Sequence, residues 1–342
     1  MSRLGTPRVR ALVLAAGRGE RLRPLTLALP KPLLPVAGRP LAAWTLDRLE
    51  RAGCDAAALN LHHLGEAIRS CFGQSFGRLP LVYSEERELA GTGGALPPLR
   101  EFLGAAETVL IVNGDSLCRW PLAELLAAHR RGGARATLLV HRTADPRSFG
   151  GGVAIERGRH DRIGRIVAFR RGGLAWETAR TRRVFAGAAA LAPELLERLP
   201  AGRSDIVAAL YEPMLAAGEP IAALATTRAW FDLGTPARYL EAALAWGLDG
   251  RPAASALVLP TAAVEPGARL RRSVVERGAR VAAGARLSGT LVLPGARVGA
   301  DARLDGVLVG PQVELPPGAQ HRDVLLTWQS GSVVVTPLNA AS

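Results

Sequence analysis

The sequence predicts an α/β domain built on an open, largely parallel sheet, followed by a left-handed parallel β-helix. An apolar run over residues 9–15 ends in Gly17 and Gly19, as expected of a buried strand that leads into a glycine-rich loop. Runs typical of strands then alternate with helix-like segments as far as residue 248. Beyond residue 255, aliphatic residues recur at steps of six, six and five, which no single face of an α-helix can follow.

A basic, proline-rich loop follows the first predicted strand. It contains Arg18, Arg21, Arg23 and Lys31, and four prolines between residues 24 and 35 exclude an α-helix through it. Glycine allows backbone N–H groups to approach an anion closely, and the basic side chains add positive charge. Open α/β sheets bind ligands at the carboxyl ends of their strands. The loop is therefore predicted to hold a triphosphate.

Two better-known glycine-rich loops do not fit this segment. A dinucleotide-binding fingerprint needs a third glycine where Leu22 stands, and a Walker A loop needs Gly-Lys-Ser/Thr, which is absent. Lys31 is the only lysine in the chain, so every other basic side chain except histidine is arginine. Lysine carries a compact point charge, whereas arginine is a planar fork. A site that needs a small ammonium group beside a phosphate would retain lysine at this position.

A family resemblance is carried by the segment at residues 14–41, LAAGRGERLRPLTLALPKPLLPVAGRPL. It resembles the signature of the sugar-1-phosphate nucleotidyltransferases, which are also called NDP-sugar pyrophosphorylases. The resemblance implies a Rossmann-like domain with a GT-A-like mixed sheet over residues 1–248. It implies that Gly17, Arg21 and Lys31 hold the nucleoside triphosphate and that Arg21, Lys31 and Asp115 act in catalysis. The further substrate-binding residues that it implies are Leu14, Ala15, Ala16, Gly19, Gly91, Thr92, Gly93, Gly94, Asn113, Gly114, Arg170 and Gly187.

Two carboxylates follow separate strand-like runs. Asp115 comes shortly after the apolar run at 108–112, and a carboxylate at the carboxyl end of a central strand is well placed for a hard cation. Asp232 stands in the segment Trp-Phe-Asp-Leu-Gly-Thr-Pro, where Thr235 is predicted to cap a helix that begins at Pro236. Both segments match motifs of the family. The resemblance implies that Asp115 and Asp232 hold Mg²⁺ as the cofactor.

Two segments depart from the family pattern. The segment Gly91–Gly94 resembles the turn that contacts base and sugar, but Pro97 and Pro98 are expected to delay the start of the next helix. The strand-like run over 163–169 ends in Phe-Arg-Arg-Gly, where the family usually has Glu-Lys-Pro. Arg170 is expected to replace the missing lysine as a contact to the sugar phosphate.

A 17-residue repeat marks the C-terminal part of the chain. Val264, Val281 and Val298 begin copies of one seven-residue pattern, which predicts three to four β-helix coils over 256–320 and a tail over 321–342. No histidine lies within these coils, which disfavours a β-helix acyltransferase because such enzymes usually need a histidine base. We expect the β-helix to support regulation or the assembly of a homo-oligomer, and not chemistry.

Composition narrows the possible partners. The net charge is +13, but the arginines are spread over the whole chain and no RRM, KH or zinc-finger pattern is present, which favours anionic small substrates over nucleic acid. The three cysteines form no CxxC pair, which suits a reducing compartment. No run of about 18 apolar residues occurs. We therefore expect a cytoplasmic protein that binds neither nucleic acid nor membrane.

The resemblance implies that an NTP and a sugar 1-phosphate are converted to an NDP-sugar and pyrophosphate. The segment at residues 91–96 is more like the guanylyltransferase branch than the thymidylyltransferase branch, which favours GTP with mannose 1-phosphate or a related manno-configured sugar. UTP- or dTTP-dependent transfer, for example to N-acetylmuramate 1-phosphate or glucose 1-phosphate, remains an alternative. A catalytically silent regulatory homologue is a further alternative, although the loop and metal residues of the family are all present.

Overall fold

Contacts within the chain divide it into two compact units. The structure is a computed structural model that describes residues 8–149, 152–157, 162–169, 177–179 and 181–339. The first unit comprises residues 1–17 and 42–230, and the second comprises residues 18–41 and 231–342. The basic loop therefore groups with the C-terminal part of the chain. The domain boundaries expected at residues 248 and 256 remain predictions.

Strands and helices are interspersed along the part of the chain that precedes the β-helix. The strands are β1 (Val9–Leu14), β2 (Pro35–Val36), β3 (Arg39–Pro40), β4 (Ala56–Leu61), β5 (Ser75–Phe76), β6 (Leu79–Glu85), β7 (Thr108–Asn113), β8 (Ser116–Cys118), β9 (Ala136–His141), β10 (Val153–Arg157), β11 (Ile163–Phe169), β12 (Thr181–Leu191), β13 (Ile221–Thr226) and β14 (Trp230–Asp232). The helices are α1 (Leu41–Arg51), α2 (Gly65–Phe72), α3 (Gly91–Gly94), α4 (Arg100–Gly104), α5 (Leu122–Gly132), α6 (Glu212–Ala216) and α7 (Pro236–Gly247).

The first unit is built on a ten-stranded mixed sheet in the described part of the chain, with the order β10-β11-β13-β9-β12-β7-β1-β4-β6-β5. β1 runs parallel to β4 and β7, whereas β12 runs antiparallel to β7 and β9. Ala11, Leu12 and Val13 are fully buried, as a strand covered on both faces requires. The predicted α/β class with a mixed sheet is confirmed. β1, the strand that leads into the basic loop, lies in the interior of the sheet.

The glycine-rich turn and the prolines after it form separate short elements. A four-residue helix, α3, begins at Gly91, Pro97 and Pro98 lie in a 3₁₀ turn, and the next helix, α4, begins only at Arg100, as the prolines led us to expect. A π-helical turn, Val207–Tyr211, leads directly into α6. Asp205 caps the start of this segment, because its Oδ1 accepts hydrogen bonds from the N–H groups of Val207 and Ala208 at 3.1 and 3.2 Å.

The second unit contains a parallel β-helix whose coils are 17 residues long. Its strands are β15 (Leu257–Val258), β16 (Ala263–Val264), β17 (Arg269–Arg271), β18 (Val274–Val275), β19 (Arg280–Val281), β20 (Arg286–Ser288), β21 (Leu291–Val292), β22 (Arg297–Val298), β23 (Arg303–Asp305), β24 (Leu308–Val309), β25 (Glu314–Leu315), β26 (Gln320–Arg322), β27 (Val324–Gln329) and β28 (Ser332–Pro337). Leu257, Val274, Leu291 and Leu308 pair in parallel from coil to coil. The repeat predicted from the sequence is confirmed.

The tail that was expected to begin at residue 321 continues the β-helix. β27 runs parallel to β24 and antiparallel to β28, so the hairpin of β27 and β28 ends the stack of coils. Ser330 and Gly331 both have positive φ and form the two-residue turn. This Ser-Gly pair between two aliphatic runs was the available signal for the hairpin.

The free thiols of the chain are not built as nucleophiles. Cys54, Cys71 and Cys118 form no disulfide with one another. Burial raises the pKa of Cys54 to about 12 and also raises the pKa of Cys118, so neither thiol ionises readily near neutral pH.

Across the residues that the structure describes, no helix is long and apolar enough to cross a membrane.

Candidate active site

The basic loop of the second unit is folded tightly by its own residues. Gly19 has a φ of +61°, and a Cβ atom at this position would lie 2.9 Å from the Thr26 Cγ2 atom. The Thr26 hydroxyl donates to the Gly19 carbonyl at 2.8 Å, and the Leu22 N–H donates to the same oxygen at 2.9 Å. Short 3₁₀ turns take the place of the α-helix that the prolines exclude. The loop therefore has a defined shape that requires glycine at position 19.

Lys31 is buried inside this loop. Its exposed fraction is 6%, and its Cβ lies 3.5 Å from the position that a Cβ on Gly19 would occupy. Removing an ammonium group from water is costly unless anionic or polar groups compensate for the loss. The loop thus keeps a compact positive charge in place. The sequence indicated the identity of this residue but not its burial.

Asp232 provides a carboxylate in the second unit. Its Oδ2 accepts a hydrogen bond from Arg238 Nη1 at 2.7 Å. A Cβ atom on Gly234 would lie 3.0 Å from Arg21 Nη2 and 3.1 Å from Asp232 Oδ2. Arg21 and Asp232 therefore both approach Gly234, and the structure brings these two predicted site residues together. Gly234 and Arg238 were missed, although the glycine of the Trp-x-Asp-x-Gly-Thr-Pro motif could have indicated a close approach.

The start of α7 holds Arg238 in the position in which it binds Asp232. Thr235 Oγ1 accepts a hydrogen bond from the Arg238 N–H at 3.3 Å, which confirms the predicted cap. The first turn of α7 begins at Pro236, whose missing N–H costs nothing at this position. Arg238 is thus held through its backbone by the cap and through its guanidinium group by Asp232.

The carboxyl ends of β1 and β7 lie side by side in the first unit. Leu14 pairs with Asn113, and the Gly114 N–H donates to the Leu14 carbonyl at 2.9 Å. A Cβ atom on Gly114 would lie 2.8 Å from that oxygen, so a larger residue does not fit. Gly187 has a φ of +77°, and the Asn113 side chain lies 3.2 Å from the position of its missing Cβ. Four predicted substrate-binding residues therefore meet at this edge of the sheet.

The glycine-rich strand end combines buried and accessible backbone. Ala15 and Ala16 are buried, whereas Gly17 is exposed and has open space where a side chain would begin. Asp115 is half-buried directly after Gly114, and the Ser116 hydroxyl donates to its Oδ1 at 3.4 Å. Backbone at Gly17 and a carboxylate at Asp115 are thus presented at the carboxyl ends of β1 and β7.

A polar network that the sequence did not indicate links β1 to α3. Asn60, at 4% exposure, accepts the Ala15 N–H through Oδ1 at 2.7 Å and donates through Nδ2 to Glu86 Oε1 at 2.7 Å. Glu86 Oε2 accepts the Ala90 N–H at 2.9 Å. These hydrogen bonds connect Ala90, which precedes Gly91, to Ala15, which follows β1. The available signal was a polar residue near the carboxyl end of β4, within an otherwise apolar strand.

The glycines of α3 allow close packing against the chain near Ser204. The N–H groups of Gly93 and Gly94 donate to the Ser204 carbonyl at 2.9 and 3.3 Å. Both glycines are buried, whereas Gly91 and Thr92 are exposed. The bound N–H groups of Gly93 and Gly94 are therefore less suited to read a base than the exposed part of the turn. Close packing explains why glycine is needed at these two positions.

Arg170, the predicted contact to the sugar phosphate, lies outside the described residues. β11 is described as far as Phe169, whose ring stacks on Tyr211 at a centroid distance of 5.5 Å. The described end of the strand is thus fixed in the core. The role of Arg170 remains a prediction.

Comparisons with known proteins agree with this architecture. A family profile described as nucleotidyl transferase matches residues 10–170, and another, described as GlmU-like C-terminal hexapeptide, matches residues 247–321. The chain is 34% identical over 289 residues to a mannose-1-phosphate guanylyltransferase of Mycobacterium tuberculosis, covering 81% of this chain and 78% of that protein.

Two further similar proteins are named for reactions of uridine nucleotides. The chain is 30% identical to a UTP–glucose-1-phosphate uridylyltransferase of Synechocystis over 68% of its own length, and it spans 62% of that protein. The solved structure of a UDP-glucose pyrophosphorylase complexed with UDP-glucose matches with a TM-score of 0.59 and 20% identity, covering 70% of this chain and 98% of the other. This structural likeness supports the fold alone.

Gly234→Ala tests the approach of Arg21 and Asp232. The added methyl group would contact both charged groups at about 3 Å, so we expect them to separate by a few tenths of an ångström. Affinity for a Mg²⁺–nucleoside triphosphate, measured by isothermal titration calorimetry, should fall by about tenfold because small misplacements of charged groups are costly.

Gly132→Ala is the matched control for this variant. Gly132 ends α5 in an ordinary backbone conformation and has open space at its missing Cβ. The control should retain wild-type affinity. Equal affinities for Gly234→Ala and the wild type would show that the approach to Gly234 does not matter for the ligand.

Proposed function

Because this chain belongs to the sugar-1-phosphate nucleotidyltransferases, we propose that it transfers a guanylyl group from GTP to mannose 1-phosphate or a related manno-configured sugar 1-phosphate. The match to the mycobacterial guanylyltransferase carries this proposal. It covers 81% of the chain, more than residues 1–248 of the 342 could supply, and therefore extends towards or into the β-helix. Its identity, 34%, is also higher than the 30% of the match to the uridylyltransferase.

The reaction needs positioning and charge neutralisation and no protein nucleophile. An oxygen of the sugar phosphate attacks the α-phosphorus of the triphosphate, and pyrophosphate departs from the opposite side. Arg21 and Lys31 would neutralise charge on the triphosphate and on the departing pyrophosphate. The burial of Lys31 supports this role, because a side chain that is already held in place loses little conformational freedom on binding.

The donor set fits a hard divalent cation. Asp115 and Asp232 are half-buried carboxylates, and oxygen ligands of this kind suit Mg²⁺, which is usually held by one or two carboxylates together with substrate phosphates. We propose that both residues hold the ion. When bound, it would withdraw charge from the phosphates. Arg238 would orient the Asp232 carboxylate through its bond to Oδ2.

The exposed part of α3 and the edge of the sheet would hold the remaining groups of the substrates. Gly91 and Thr92 are proposed to lie against the base, and Gly187 and Asn113 against the sugar. Gly187 supports this proposal because it has room for no side chain and keeps the Asn113 amide in place. A cytoplasmic location and homo-oligomerisation stay predictions from the sequence.

The substrate assignment is tested by comparing kcat/KM for GTP, UTP and dTTP with mannose 1-phosphate and glucose 1-phosphate. We expect GTP with mannose 1-phosphate to be preferred, because a site that pairs the N1–H, N2–H₂ and O6 groups of guanine leaves its own groups unpaired with another base. A tenfold preference for a pyrimidine triphosphate would overturn the guanylyl assignment and favour the uridylyl alternative. Absence of pyrophosphate release with every pair would indicate a silent homologue.

Asp115→Asn and Asp232→Asn test the shared metal. Each change should lower kcat on the order of 10²-fold, as expected for the loss of an electrostatic stabiliser. The double variant should be little worse than the worse single variant, because residues that act as a unit are not additive. Strictly multiplicative losses, or full activity in EDTA, would rule out a shared ion. Asp47→Asn is the matched control, since Asp47 forms an ion pair with Arg51 on α1.

A further inference from the structure

A hairpin that follows the basic loop is held by the β-helix. This loop hairpin comprises residues 35–40, with β2, β3 and the turn between them. The Gly38 N–H donates to both carboxylate oxygens of Glu276, at 2.9 and 3.2 Å. Arg277 Nε donates to the Gly38 carbonyl at 3.2 Å. Two consecutive residues of one β-helix coil thus bind the same peptide segment of the loop hairpin.

The Glu276 carboxylate is almost completely buried, with 1% exposure. Burial raises the pKa of Glu276, while the backbone N–H groups of Gly38 and Ala37 act in the opposite direction. Burying a carboxyl group lowers the stability of the fold unless its oxygens accept hydrogen bonds. The bonds to the loop hairpin are therefore part of what makes a carboxylate tolerable at this position.

The stacking of the coils does not explain an acid here. Leu259 and Leu293 occupy the equivalent positions, 17 residues before and after Glu276, and each makes the equivalent backbone hydrogen bond to the next coil. Leu259 is 8% exposed and Leu293 is fully buried. The two neighbouring coils therefore carry an aliphatic side chain at this position. Glutamate at 276 departs from the repeat at the coil position that meets Gly38.

The loop hairpin is fixed in shape. Ala37 and Gly38 have φ values of +49° and +79°, which suit a two-residue turn between short strands. A Cβ atom on Gly38 would lie 2.7 Å from the Leu259 Cδ1 atom, so this turn packs directly on the β-helix. The Tyr239 hydroxyl of α7 donates to the Pro35 carbonyl at 2.6 Å. The hairpin is thus held from two sides within the second unit.

Hydrogen bonds continue from the loop hairpin to Lys31. The Leu34 N–H donates to the Lys31 carbonyl at 3.1 Å, and the Leu41 N–H donates to the Leu34 carbonyl at 2.9 Å. Leu34 is fully buried. A shift of the hairpin would therefore be transmitted to Lys31 through the buried Leu34 and its backbone.

We propose that Glu276 is a positioning residue through which the β-helix holds Lys31 in place for the triphosphate. The inference rests on the proposed function, in which Lys31 contacts the nucleotide. It gives the β-helix a part in nucleotide binding, whereas the sequence suggested assembly or regulation alone. Glu276 itself is not proposed to contact substrate.

Glu276→Leu in the full chain is the sharpest test, because leucine restores the residue of the neighbouring coils. The melting temperature should be unchanged or higher, since a buried carboxylate is replaced by the side chain that the two neighbouring coils carry. KM for the triphosphate that the wild type uses best, and its Kd by calorimetry, should rise about tenfold, because Lys31 is no longer held in place and small misplacements of charged groups are costly. KM for the sugar 1-phosphate should be unchanged. Glu276→Gln, which keeps one acceptor oxygen, should fall between Glu276→Leu and the wild type.

Glu265→Gln is the matched control. Glu265 also accepts a backbone N–H, that of Ala283 at 2.9 Å, but this bond joins two coils of the β-helix. The control should match the wild type in both KM values. The inference is overturned if Glu276→Leu binds the triphosphate as tightly as the wild type, or if both KM values rise together with a lower melting temperature. Absence of pyrophosphate release by the wild type would instead contradict the proposed function itself and remove the basis of the inference.

Discussion

The basic loop of the second unit is built around a buried lysine, Lys31. A lysine with 6% exposure can be kept only where the surrounding chain is fixed, because every movement that exposes its side chain changes its solvation. Gly19 and Thr26 supply the fixed turn on one side of Lys31. The loop hairpin and its bonds to Glu276 supply the support on the other side. Both supports therefore act on the loop that carries the proposed contact to the triphosphate.

Glycine serves the two units in the same physical way. Gly114 allows β7 to approach the Leu14 carbonyl, and Gly234 allows Arg21 and Asp232 to approach one point of the backbone. In each case, a methyl group would occupy space that a polar or charged group now holds. In each unit, the predicted site residues are thus held by close approaches of backbone and charge, as the proposed reaction, which needs no protein nucleophile, would require.

Local and periodic features could be predicted from the sequence, whereas contacts between distant segments could not. The strand before Gly17, the 17-residue repeat and the Thr235 cap each follow from residue spacing over a few positions, and the structure has all three. Asn60 and Glu276 were missed because their partners lie far away in the chain. A lone acid between two leucines at the same position of the repeat was visible in the sequence, but only the structure shows what it binds.

Lys31 is proposed to serve the nucleotide and not the stability of the fold. Lys31→Met removes the ammonium group with little change in side-chain volume, and Arg23→Met is the control because Arg23 is an exposed basic residue of the same loop. Lys31→Met should keep or raise the melting temperature while its calorimetric Kd for Mg²⁺–GTP rises tenfold or more, with the control unchanged. A lower melting temperature together with a wild-type Kd for GTP would contradict it.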